Sequence, residues 1–200
     1  AGLAERAEPG STALLLAHGD GADALALRFH RRAAPRMASR LARRLPLASA
    51  ELYRRARELI ATEYAGNDFQ GVSATVHHRE RAEDLALTGQ RCDCGLHQFP
   101  RGRVCGGCGA VDRFTAVRYA ERTAQLVTYT LDAFFPTPDP PTAVGVVQVE
   151  DGPRIYLQLT DLVAAEVTLG MALEFTFRRI HTVGGRPNYF WKCRPRGEAA

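Results

Sequence analysis

Four cysteines within seventeen residues, Cys92, Cys94, Cys105 and Cys108, constrain this chain more than any other feature. They read C-x-C, ten residues, then C-x2-C, and Gly95, Gly106, Gly107 and Gly109 let the backbone turn its amides toward the sulfurs. The surrounding segment, residues 89 to 112, is too short for a core of its own and needs a staple. Four thiolates satisfy a tetrahedral Zn²⁺ at about 2.3 Å and leave it no open position, so such a site is structural rather than catalytic. The C-x-C pair shortens the first knuckle by one residue relative to C-x2-C. Either Cys92 ligates from a tighter loop or the ribbon carries four free thiols. The fifth cysteine, Cys193, lies in an apolar run far along the chain and reads as an ordinary core or surface thiol. An odd, clustered set of cysteines suits a metal site in a reducing compartment better than a disulfide framework. His77, His78, His97 and His181 have no ligand spacing to one another beyond the adjacent pair.

The segment after the cysteines supplies the core. From residue 114 to 195 apolar and polar residues alternate: Leu126, Thr128 and Thr130 oppose Val127, Tyr129 and Leu131, and Leu173, Phe175 and Phe177 oppose Glu174, Thr176 and Arg178. Val144 to Val149 and Ile155 to Leu159 flank the turn Glu150-Asp151-Gly152-Pro153, and Asn188 to Cys193 forms a final aromatic strand. A short helix is expected at Asp161 to Val167. Five such strands with one helix before the fourth describe a five-stranded barrel of the OB type. The predicted fold is therefore mainly β with N-terminal helices, a rubredoxin-like zinc ribbon at 85–113 and an OB-fold domain at 114–200.

Before the ribbon, two apolar runs, Ser11 to Ala17 and Ala22 to Phe29, flank His18-Gly19-Asp20-Gly21 and predict a hairpin within residues 1–29. Residues 30–84 form an Arg-rich helical linker. Met37, Leu41 and Leu45 recur every four residues between Pro35 and Pro46, and Ser49 caps a second helix whose apolar stripe runs from Leu52 to Tyr64. Residues 65 to 84 read as a polar loop with a helical turn.

A net charge of +4 and a pI near 9.0 invite a nucleic-acid reading until the charge is located. Residues 28 to 57 hold ten arginines against Glu51 alone, whereas from Phe114 onward nine basic residues meet nine acidic ones. A neutral barrel offers single-stranded nucleic acid no electrostatic groove, and phosphate neutralisation normally dominates such affinity. Nucleic acid is therefore the disfavoured alternative. No apolar run approaches the roughly 20 residues of a membrane helix, and no secretory leader is evident, so a cytoplasmic protein without a membrane partner is expected. A nucleophile elbow, a phosphate-cradling Gly-Lys loop and an open metal triad are all missing, which argues against catalysis by this chain on its own.

Two resemblances are specific. Gly89 to Gly95, Gln98-Phe99-Pro100-Arg101, Cys105-Gly106-Gly107-Cys108-Gly109, Val127-Thr128-Tyr129-Thr130 and Gly170 to Phe175 together resemble the acyl-CoA-associated zinc-ribbon/OB-fold proteins, over roughly residues 85 to 195. That resemblance implies an accessory module beside a thiolase-superfamily condensing enzyme, helping to hold or pass acyl-CoA. Leu14 to Leu25 is similar to the last hairpin of hydroxymethylglutaryl-CoA-synthase-like and ketoacyl-synthase-like enzymes, which often carry the ribbon and barrel at their C-terminus. A thiolase fold needs several hundred residues, so this chain holds at most its final piece, and the opening Ala1 in place of Met is expected of a processed or truncated polypeptide.

The expected function is thus an acyl-CoA-binding scaffold module of an acyltransferase complex, with a thiolase-like or ketosynthase-like polypeptide and acyl-CoA as partners. A guanidinium grips phosphate through two parallel hydrogen bonds. This makes Arg43 and Arg44 on the helices and Arg178 and Arg179 on the barrel candidate phosphate contacts, beside Arg31, Arg32 and Arg40. Phe134, Phe135, Tyr189 and Trp191 are candidate walls for the pantetheine arm and acyl group. No residue of this chain is assigned a catalytic role.

Overall fold

A computed structural model describes residues 2–19, 21–34, 36–42, 44–60, 73–135, 137, 139–183 and 186–197. Two compact units divide the chain, one built on the residues up to Pro46 and the other spanning Leu47–Arg196.

The first unit opens with α1 (Gly2–Arg6), followed by the strands β1 (Thr12–His18) and β2 (Ala22–Arg28) and the helix α2 (Arg36–Ala42). The two strands pair antiparallel with Leu15 opposite Leu25, as the apolar runs around the Gly19–Gly21 turn predict. Met37 and Leu41 lie on α2, which stops at Ala42 short of Leu45.

The second unit begins with α3 (Ala50–Ala56). Ser49 caps it as expected, its hydroxyl accepting the Leu52 N–H at 3.0 Å. Its C-terminus corrects the sequence reading, which ran the helix to Tyr64, a residue outside those described. Glu58 adopts a left-handed φ of 55°, and the N–H groups of Glu58 and Leu59 close back onto Arg55 and Arg54, a Schellman stop. Arg179 from the barrel then binds both the Glu58 carboxylate and the Ala56 carbonyl at 3.0 Å. A second correction falls on residues 65 to 84, of which those from Ala74 onward form α4 (Ala74–Ala86), not a loop. The helix has almost no apolar stripe. It is tied down instead by a Ser73 cap, the His77–Asp84 contact at 2.6 Å, and the buried Glu83, which accepts both the backbone and side-chain N–H of Arg101.

A three-stranded sheet carries the ribbon: β3 (Thr88–Cys92) lies between β4 (His97–Gln98) and β5 (Phe114–Arg118). Phe114–Arg118, which the alternation placed with the barrel, pairs with Thr88–Cys92 instead. The barrel sheet runs β10 (Arg186–Pro195), β9 (Ala172–Val183), β6 (Thr123–Asp132), β7 (Thr142–Val149), β8 (Arg154–Gln158). A Leu159–Cys193 bridge brings its two edges together, so the five strands form a nearly closed OB barrel. The Asp161–Val167 helix is reduced to one 3₁₀ turn at Ala164–Glu166. A bulge between Leu126 and Thr128 breaks the expected alternation of β6, leaving Leu126 in the core.

Leu87 and Tyr119 from the ribbon side are fully buried in the same core as Leu126, Val147, Leu173 and Cys193. A Cβ on Gly89 would lie 2.4 Å from the Gln98 carbonyl oxygen and 2.7 Å from the Tyr119 ring, so no side chain fits between them. Gly89→Ala is therefore expected to cost about 2 kcal/mol or more through overpacking, whereas Gly102→Ala, with open space at its Cβ, should stay within about 0.5 kcal/mol of wild type. Denaturant unfolding followed through the single tryptophan, Trp191, measures both. Equal midpoints for the two variants would contradict this account of the junction.

Candidate metal centre and barrel surface

The four ribbon cysteines converge. Cys92 ends β3, and its N–H and carbonyl both bond within the loop, to the Leu96 carbonyl and the Gly95 N–H at 2.8 Å. Gly95 takes a left-handed φ of 94° to allow that closure. The shortened C-x-C knuckle is thereby accommodated, with Cys92 buried and Cys94 exposed at its rim. Cys105 and Cys108 sit on a second tight turn closed by the Gly109 N–H on the Cys105 carbonyl at 3.0 Å.

The sulfurs of Cys92 and Cys108 are 3.7 Å apart, those of Cys94 and Cys105 3.6 Å, and all four lie within 4.8 Å of one another. A tetrahedron with metal–sulfur bonds of about 2.3 Å has edges of about 3.8 Å, so the donor set fits one tetrahedral ion and leaves no position for substrate. The backbone N–H groups of Cys108 and Gly107 point at Cys105 and hold its thiol down at about 6, whereas Cys92, despite the Cys94 N–H, is pushed up to about 12 by burial and the neighbouring thiols. Cys193 lies apart, fully buried in the barrel, and burial pushes its thiol up to about 12. His97 does not join the cluster; its Nδ1 is 2.9 Å from the Tyr119 hydroxyl, and burial, with Arg122 and Arg91 nearby, lowers its pKa.

The other sequence-derived candidates scatter. Arg43 falls outside the described residues, and Arg44 is exposed with Nη1 on the Leu41 carbonyl at 3.3 Å. Phe134 is 97 % exposed at the tip of the β6–β7 connection, and Phe135 beside it is half-buried. The Asp132 carboxylate fixes both by accepting their N–H groups at 2.8 and 3.1 Å. On β9, Arg178 is paired with Asp161 at 2.9 Å and Arg179 with Glu58 at 3.0 Å.

Strands β9 and β10 do bring Tyr189 and Trp191 together, through a residue the sequence reading assigned only to the inner face. Phe177 stacks on Tyr189 with ring centroids 5.7 Å apart and meets Trp191 at 5.3 Å. Its alternation with Leu173 and Phe175 is real, but the barrel ends before it, so the ring emerges partly exposed. The Trp191 indole N–H is buried without an acceptor among the described residues.

Among the described residues no helix is long and apolar enough to cross a membrane. Residues 106–178 match the family model of the ChsH2 C-terminal OB-fold domain. A DUF35 domain-containing scaffold protein of Methanocaldococcus jannaschii is 29% identical over 139 residues, covering 66% of this chain and 96% of that protein. The scaffold protein of the same description from Pyrococcus furiosus is 29% identical over 126 residues, covering 60% and 88%. Among solved structures, the Ltp2-ChsH2(DUF35) aldolase matches 64% of this chain and 97% of its own at 21% identity and a TM-score of 0.46. In its cysteine-rich ribbon and nearly closed barrel the C-terminal part of this chain is thus similar to the ChsH2 C-terminal OB-fold domain and to DUF35 domain-containing scaffold proteins.

Proposed function

We propose that this chain is the accessory, scaffold-type module of a thiolase-superfamily condensing enzyme of the hydroxymethylglutaryl-CoA-synthase-like or ketoacyl-synthase-like kind. In this reading it holds a structural zinc ion in the ribbon and helps to hold or pass acyl-CoA. The curated relatives are described as DUF35 domain-containing scaffold proteins.

The observation that carries the reading is the β1–β2 hairpin. Leu14 and Leu16 are 63 % and 68 % exposed, while Leu15 and Leu25, on the opposite face, are 52 % and 54 % exposed. A two-stranded ribbon is marginal in water, and strands apolar on both faces belong in a sheet covered by helices on both sides. Burying what these four leucines still expose is worth on the order of 4 to 7 kcal/mol. A layered α/β partner whose sheet accepts the hairpin supplies that burial.

Phe134 and Phe135 on the barrel loop, with Tyr189 and Trp191, offer the apolar surface for a pantetheine arm. Arg43, Arg44, Arg178 and Arg179 are the cations nearest in kind to the task, the last two by exchanging their carboxylate partners for phosphate. The balance of nine basic and nine acidic residues from Phe114 onward works against the single-stranded nucleic-acid alternative. Bound zinc would be held by Cys92, Cys94, Cys105 and Cys108, neutralise their thiolates and contribute folding energy to a segment without a core.

Elemental analysis of chain never exposed to chelator is expected to give one zinc per chain. Cys105→Ser should lose the metal, whereas Cys193→Ala should keep it while destabilising the barrel by about 1 to 2 kcal/mol through the cavity left; metal lost from both would contradict the assignment. Hydrogen exchange tests the hairpin. Residues 11 to 29 should exchange rapidly in the isolated monomeric chain and slow on adding a thiolase-like partner, and strong protection in the chain alone would refute dependence on a partner.

A further inference from the structure

A cavity of the first unit lies between α1, α2 and the chain joining β2 to α2. It measures about 850 Å³ and is lined by Glu5, Arg31, Arg32, Met37 and Arg40 with the two alanines between. Its walls are tied: the Glu5 carboxylate accepts the Met37 backbone N–H, and the Ala33 N–H donates to the Ala4 carbonyl at 3.0 Å. Three guanidiniums therefore face a single carboxylate that is already engaged. Arg31 and Arg32 have no hydrogen-bond or ion-pair partner among the described residues, unlike Arg178, Arg179 and Arg194 of the barrel, each of which meets an acid.

Placing Arg31 and Arg32 around a cavity beside a third guanidinium costs self-repulsion that an anion would relieve. One carboxylate ligand would leave positive charge uncancelled, whereas a dianionic phosphate matches both the excess charge and the paired N–H donors of guanidinium. The volume falls within the usual range for small-molecule sites of about 300 to 1,000 Å³, so there is room beyond a lone phosphate. We infer that this cavity is a binding site for a phosphoanion, a phosphomonoester or diphosphate group, gripped by Arg31, Arg32 and Arg40. The site is built within the first unit alone and rests on the acyl-CoA part of the proposed function, which it narrows to the phosphate groups; loss of pyrophosphate binding would remove this site and leave the zinc and hairpin tests of the scaffold reading untouched.

Inorganic pyrophosphate and ADP, titrated calorimetrically into the full chain, serve as probes. Saturable binding of pyrophosphate below about 1 mM at low salt is expected, weakening as ionic strength rises. Arg31→Gln/Arg32→Gln should weaken it roughly tenfold or more, since charged hydrogen bonds are lost. Arg103→Gln/Arg118→Gln, which removes equal charge from arginines paired with Asp112 and Glu121, should change it less than about twofold. ADP binding tighter than pyrophosphate would assign the remaining volume to a nucleoside, and equal affinity would assign the site to the phosphates alone. Amide resonances of Ala33, Ala34 and Met37 should shift in the wild-type chain, a readout independent of how the variants fold. Absence of saturable binding, equal losses in the two double variants, or shifts confined to other residues would overturn the inference.

Discussion

The second unit depends on how Tyr119 is seated. Its ring is fully buried, its hydroxyl meets His97 Nδ1 at 2.9 Å, its N–H donates to the Leu87 carbonyl at 3.0 Å, and the Arg122 guanidinium lies 5.3 Å from the ring centroid. Gly89 on one side and Gly152 on the other provide the space, since a Cβ at either would fall 2.7 and 3.2 Å from the ring. One aromatic side chain thus joins ribbon sheet, barrel hairpin and α4 into a common core. A ribbon of three short strands has too little apolar surface to fold by burial alone, and this junction supplies what its own sequence cannot.

The ribbon's far end meets the same shortage by another means. Four sulfurs at tetrahedral edge distances could hold one ion in place of a core, and the glycines around them supply N–H groups rather than packing. Tyr119 anchors one end and the thiolate cluster the other. Four sulfurs that leave an ion no open position suit a structural role rather than a catalytic one.

The two units solve burial differently. The barrel closes on itself and buries its inner faces, while the β1–β2 hairpin leaves leucines of both faces in solvent. Arg178, Arg179 and Arg194 of the barrel each meet an acid, whereas Arg31 and Arg32 line a cavity whose one carboxylate, Glu5, accepts the Met37 N–H. One unit holds its shape through its own burial, and the other leaves apolar surface for which the described residues offer no cover.

Patterns that depend on local spacing were legible in the sequence. The cysteine intervals announced a metal-binding ribbon, period-two alternation announced the barrel strands, Ser49 announced a helix start, and the apolar runs around Gly19 and Gly21 announced the hairpin. Features that arise between distant residues were not. α4 lacks an apolar stripe because ion pairs such as Glu83–Arg101 hold it, and α3 ends where Arg179, far along the chain, reaches its last carbonyls. Phe114–Arg118 alternates like a barrel strand, yet its hydrogen bonds go to Thr88–Cys92. Phe177 follows the inner-face pattern but emerges beside Tyr189, because the barrel's height, not the strand's period, sets where burial stops. Spacing along the chain determined which elements form and which thiols could share an ion. Only the tertiary structure decided which sheet each strand joins and which rings and guanidiniums meet, because pairing depends on what lies across a gap in space rather than on what comes next in the chain.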